Sequence, residues 1–137
     1  MLVIGCGYGT ASGAQQAAEE RRLRTQRLKV DGVEAIGATL ADATLVCLPP
    51  GDHTVAYLEK VDRRREACSN PCFCVDLNRD SGDNVRAIRE WLAGLRSSQT
   101  LHVVGPLEVR GRGCHRLVND LLLELLPDKA GKGLLTA

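Results

Sequence analysis

Thr100-Leu101-His102-Val103-Val104-Gly105-Pro106-Leu107-Glu108-Val109-Arg110-Gly111-Arg112-Gly113 reads as an apolar strand running into a Gly-Pro loop that carries an acid and two arginines. The loop feeds Cys114 to Leu126, an expected helix whose Leu117, Leu121, Leu122, Leu125 and Leu126 supply an apolar face, with Leu123 able to widen it into a partner surface. Strand, polar loop, helix is how an α/β sheet presents backbone donors and charge at the carboxyl edge of its strands.

Working outward, the same unit recurs. Ala43-Thr44-Leu45-Val46-Cys47-Leu48 is apolar throughout and stops at Pro49-Pro50-Gly51, and Asp52 to Ala67 then has the spacing of a helix. Val55, Tyr57, Leu58 and Val61 are its expected buried stripe, with Asp52 or Thr54 as the N-cap. Cys72 to Leu77 is a further strand, and the polar turn from Asn78 to Asp83 leads to Val85, Ile88, Trp91, Leu92 and Leu95 at helical spacing. The tryptophan therefore reads as core. At the start of the chain, Met1 to Gly5 is a short buried strand, Gly5 to Gly13 a glycine-rich turn, and Ala14 to Leu23 a helix. Leu28-Lys29-Val30 is too short and too interrupted to favour as a strand, and Asp31-Gly32 reads as a turn. The expected fold class is α/β: a Rossmann-like, doubly wound parallel sheet of about five strands with helices on both faces. One domain spans 1–126, and 127–137 is a loose tail.

Composition narrows the function. With 44% apolar and 26% charged residues and a net charge of +1, the chain has neither the profile of a disordered segment nor a basic footprint for nucleic acid. Met1-Leu2-Val3-Ile4 is too short for a signal, and no stretch approaches the roughly 20 apolar residues of a membrane span, so a cytoplasmic chain is expected. Cys68, Cys72 and Cys74 form a C-x3-C-x-C run without the second ligand pair of a zinc site, so reduced thiols and no metal are expected.

In such a sheet, Gly5 to Ser12, Pro50 to Thr54, Asn78 to Asp80 and Pro106 to Gly113 fall along one rim. Gly5, Gly7, Tyr8, Gly9, Thr10 and Ser12 form an incomplete dinucleotide fingerprint, with Thr10 where its third glycine belongs. Gly51, His53 and Thr54 open the second loop, and Gly105, Glu108, Arg110, Arg112 and Gly113 the last. Backbone N–H groups at glycines and helix starts, together with arginine forks, suit a phosphate or other oxyanion. The expected activity is binding of a small ligand of that kind. The competing readings are a hydrolase using Glu108 or Asp76 as base with His53 or His115 in support, a dinucleotide-dependent oxidoreductase needing Asp31, and a non-catalytic homo-oligomer covering the last helix. No nucleophile, base and orienting group can be named together, and His102 reads as a satisfied core histidine.

Taken in order, Asp42-Ala43-Thr44-Leu45-Val46, Pro50-Gly51-Asp52-His53-Thr54, Val75-Asp76-Leu77, Arg89-Glu90-Trp91-Leu92 and Leu101 to Pro106 with Glu108 and Gly113 resemble the bacterial putative molybdenum carrier family. That family lies in the Rossmann-like superfamily with the DprA and lysine-decarboxylase-like nucleotide-binding proteins. The resemblance covers about residues 42–126. It implies a Rossmann-like sheet and a ligand such as a nucleotide, a molybdenum cofactor or an oxyanion over its carboxyl edge. The chain departs from the pattern at Ser12, where an acid is expected, and at Leu107, where an arginine is expected. It is also short between Thr25 and Leu40, where the family carries a further loop.

Overall fold

The structure is a computed structural model that describes residues 2–5, 9–27, 35–36, 41–97, 99–105 and 113–126. Nine elements follow one another: β1 (Leu2–Gly5), α1 (Gly9–Glu20), β2 (Arg24–Arg27), β3 (Ala43–Leu48), α2 (Val55–Ala67), β4 (Cys72–Asp76), α3 (Ser81–Ala93), β5 (Thr100–Val104) and α4 (Cys114–Leu125). The strands lie side by side in the order β2-β1-β5-β3-β4, every neighbouring pair parallel. The parallel α/β architecture expected from the sequence is present.

The sheet sorts its side chains by the two-residue period of a strand. Val3, Leu45, Cys47, Val75, Leu101 and Val103 face one side, where they pack with Ala14, Ala17, Ala18, Val85, Ile88, Val118 and Leu122 of α1, α3 and α4. Val46 and Val104 face the other, against Val61 of α2 and Ala35 and Ile36. The direction of each connection accounts for this division. The β1-to-β2 and β4-to-β5 crossovers run one way along the sheet and share a face, while β3-to-β4 runs the other way, so a single hand of crossover sends α2 to the opposite face.

Several boundaries differ from the sequence expectation, each for a physical reason. β2 is Arg24-Thr25-Gln26-Arg27, a polar stretch that pairs with β1 alone; an edge strand does not need the apolar run that marks its buried neighbours. α1 begins at Gly9 rather than Ala14, so Gly9, Thr10 and Ser12 belong to the helix and not to a preceding turn. Gly13 has a packing reason to stand in the helix, because α1 lies close against α4: a Cβ there would stand 2.3 Å from the carbonyl oxygen of His115. Val55 is 72% exposed at the first residue of α2, and Leu117 is 39% exposed, so neither belongs to the buried stripe expected of it. Trp91 is half-buried and stacks on Phe73, with ring centroids 5.2 Å apart. The segment around Leu28 to Asp31 and the tail after Leu126 lie outside the described residues.

Polar side chains close the ends of the elements. Arg21 donates from both Nε and Nη2 to the carbonyl of Leu123, and Arg89 donates to that of Glu124 at 2.7 Å, so the turn after α1 and the helix α3 both satisfy the last turn of α4. At the amino edge, one carboxylate oxygen of Asp42 accepts from the Ser97 hydroxyl at 2.9 Å and from the amides of Gln99 and Thr100 at 2.9 and 3.0 Å. Asp42 thus fastens the entry of β5 to β3. The hydrogen bonds from Ser97 and then from the Thr100 amide hold its carboxyl below the usual 3.8, because they favour the charged form. A depressed carboxyl contributes stability that is complete above its ordinary titration range and is lost as pH falls through the folded value. Acid unfolding followed below pH ~4 is therefore expected to flatten in Asp42→Asn; an unchanged acid limb would remove Asp42 from the account.

Candidate functional site

Parallel register places the ends of β1, β5, β3 and β4 on one rim. Ile4 pairs with His102, Val46 with Val104, and Leu48 with Asp76, so Gly5, Gly105, Pro49 and Leu77 all leave the sheet at its carboxyl edge. After β5 the chain goes to the α4 face, and after the adjacent β3 it goes to the α2 face. Neighbouring strands whose connections part in this way leave a crevice between them, and this is where open α/β sheets bind ligands. The topology places that crevice between Gly105, which is buried, and the loop from Pro49 to Thr54.

The β3–α2 loop is held from below. Asn78, following β4, accepts from the Gly51 amide at 2.7 Å and donates to the Gly51 carbonyl at 2.8 Å, closing a two-point clamp between adjacent loops. Gly51 has φ +91°, a backbone conformation that glycine adopts without steric cost. The Asn78 amide in turn donates to Asp76, and the buried Asn84 donates to the Asp76 carbonyl at 3.0 Å, so the polar turn after β4 is itself anchored. Asp80 caps α3 by accepting from the Asp83 amide. These ties leave Asn78 and Asp80 with structural work at the rim. Sequence reasoning placed them on the right edge but gave no sign of the clamp, which joins residues 27 apart in sequence.

Thr54 caps α2, its hydroxyl accepting from the Tyr57 amide at 3.1 Å, and the Tyr57 and Leu58 amides are both satisfied by Thr54. The N-terminus of α2, with its partial positive charge, opens at the crevice. A ring nitrogen of His53 is hydrogen-bonded to the Pro49 carbonyl, which folds the histidine back into its own loop. Gly113 precedes α4 with φ +82°. Gly7, Tyr8, Glu108, Arg110 and Arg112 lie outside the described residues.

Two histidines remain, one a catalytic candidate and one expected in the core. His115 bonds Gln16 of α1 at 2.8 Å and sits on the α1–α4 seam. His102 is in the sheet, 1% exposed, on the face that carries Thr44 and Val46. It is a core histidine but not the satisfied one expected: its Nδ1 has no partner among the described residues, and burial lowers its pKa to about 4. Among the described residues, no group of three or more His, Cys, Asp or Glu is placed to hold a metal ion, and no helix is long and apolar enough to cross a membrane.

Sheet order, crossovers and crevice define a Rossmann-like α/β protein with its candidate site at a topological switch. No protein-family model matches the chain, and no curated protein matches it by sequence. Among solved structures it is similar to a putative molybdenum carrier protein from Syntrophus aciditrophicus SB, with a TM-score of 0.72 over 91% of this chain and 94% of the other. The two are 18% identical, a likeness of fold.

Proposed function

We propose that this protein binds a small phosphate- or oxyanion-bearing ligand in the crevice between β3 and β5. The observation that carries this reading is the parting of the two connections around a loop clamped by Asn78 and opening onto the start of α2. A clamped loop costs little further entropy when a guest binds, and amides at a helix start carry no competing negative charge. Backbone donors and the Thr54 hydroxyl suit the oxygens of a phosphate, or of a tetrahedral oxyanion such as molybdate, better than they suit a bare cation. The molybdenum carrier named above brings molybdate into the candidate class, and the sequence resemblance brings in nucleotides. Arg110 and Arg112 would add the charge by which a guanidinium fork recognises such oxygens.

The test is thermal unfolding against phosphate, molybdate, tungstate, mononucleotides and dinucleotides. A ligand bound only by the folded state at ~100 times its Kd adds about 2.7 kcal/mol, enough to raise the midpoint by several degrees. At least one anion of the panel is expected to do so, and replacing Arg110 and Arg112 together is expected to remove the effect. A midpoint unmoved by every compound would overturn the reading; a shift that survives the double replacement would remove the arginines from the site.

A further inference from the structure

At the opposite rim, where β4 begins, three cysteines gather in a way the crevice does not use. Cys68 closes the end of α2, its amide donating to the Arg65 carbonyl, and Cys72 opens β4. Asn70 lies between them in the connecting loop. Its side-chain oxygen accepts from the Cys68 thiol at 3.3 Å and from the Thr44 hydroxyl at 2.7 Å, and its carbonyl lies 3.7 Å from the Cys72 sulfur. One residue, Asn70, thus anchors both the Cys68 and the Cys72 thiol, which holds the two sulfurs to the same short turn. Cys72 lines an open cavity of about 410 Å³ with Asp62, Arg65, Glu66 and Asn70, and Cys68 adjoins it through its hydrogen bond to Asn70. Arg65 bears on both Cys72 and Cys74, and its Nε is buried with no acceptor among the described residues.

We infer that Cys68 and Cys72 are a redox pair, oxidised to an intramolecular disulfide by a low-molecular-weight disulfide of the glutathione type that enters the cavity. The lining carries both signs of charge that such a guest needs: Arg65, whose Nη1 lies 3.8 Å from Asp62, for its carboxylates, and Glu66 with Asp62 for its ammonium group. The Cys68 thiolate attacks one sulfur of the guest, forming a mixed disulfide and expelling one thiolate. Cys72 sulfur then attacks the Cys68 sulfur and expels the second. Two protein thiols give up two electrons and two protons, and the guest leaves as two thiols. Order follows from environment. Cys72 is pushed up to about 12 by burial first, then by its hydrogen bond to Cys68 and the charge that Cys68 can carry. It is the poorer first nucleophile, and consuming Cys68 removes two of the causes that hold it protonated. The other described thiols are poor competitors, since Cys47 and Cys114 are fully buried and burial raises Cys74.

The full-length protein is treated with oxidised glutathione, quenched with an alkylating agent, and read by intact mass and peptide mapping. The expected product has lost two hydrogens and two alkylatable thiols, both within the peptide that holds Cys68, Cys72 and Cys74. Cys74→Ser should keep this product, while Cys68→Ser and Cys72→Ser should each lose it and carry at most one bound glutathione. Unmodified protein lacking the two-hydrogen loss, or arrested as the mixed disulfide, overturns the pair without recourse to any variant. Persistence of the loss in Cys68→Ser overturns it as well. Because the pair and the crevice occupy opposite rims, neither result bears on ligand binding.

Discussion

Gly13→Ala is expected to lower the midpoint of thermal unfolding by on the order of 10 °C, although alanine is the better helix former by about 1 kcal/mol. The added methyl would stand 2.3 Å from the His115 carbonyl oxygen and 3.2 Å from the His115 Cα, both backbone atoms. No side-chain rotation can relieve the overlap. α1 and α4 must separate instead, across a seam closed by Ala14, Ala17 and Ala18 on one helix and Val118, Leu121 and Leu122 on the other. Forcing volume into such a seam typically costs about 1–3 kcal/mol, and here it also strains the Asn119-to-Gly13 and His115-to-Gln16 hydrogen bonds. Gly94→Ala is the control. Gly94 has φ −85°, its Cβ would meet nothing nearer than 3.6 Å, and the substitution should leave the midpoint level or raised. Equal midpoints for Gly13→Ala and the parent would mean that the two helices do not approach so closely.

Gly13 also shows what the sequence could and could not convey. Its neighbourhood looked like a turn because glycine marks turns more often than it marks helices. The reason for a glycine there is a backbone 102 residues away, at His115. Signals that act along the chain were legible. The apolar runs at Ala43–Leu48 and Thr100–Val104 are strands because burial on both faces demands continuous hydrophobicity, and their carboxyl ends do share a rim with that of Cys72–Asp76. Signals that act across it were not. β2 is a polar edge strand, which pairing with β1 alone tolerates and no apolar run announces, and the Asn78–Gly51 clamp leaves no periodic trace. Asp42 and Thr44 belong to the stretch that carried the family resemblance, yet they bind Thr100 and Asn70 at the amino edge. They hold the scaffold, on the rim opposite the crevice.

His102 sets the second large effect, a loss of stability between pH ~6.5 and ~4 amounting to roughly 3 kcal/mol. Burial in the sheet lowers its folded-state pKa to about 4 from the ordinary 6.5, because a charge there would be stripped of water. Between those values the unfolded chain takes up the proton and the folded chain resists it. A group whose folded pKa is depressed contributes stability that is complete above the unfolded pKa and falls as the medium is acidified, so the slope is positive in pH over this window. Asp42 acts lower, below its ordinary 3.8, which leaves the two limbs separable. Replacing His102 by leucine, close in volume and without the unpaired Nδ1, is expected to abolish the difference between pH 7 and pH 4.5 and to match or exceed the parent at neutral pH. His53 and His115 are common to both proteins, so the difference between parent and variant in urea unfolding isolates the buried ring. A parent whose stability is level from pH 7 to 4.5, or a variant that keeps the parent's slope, would mean that the imidazole is not held neutral at the centre of the sheet.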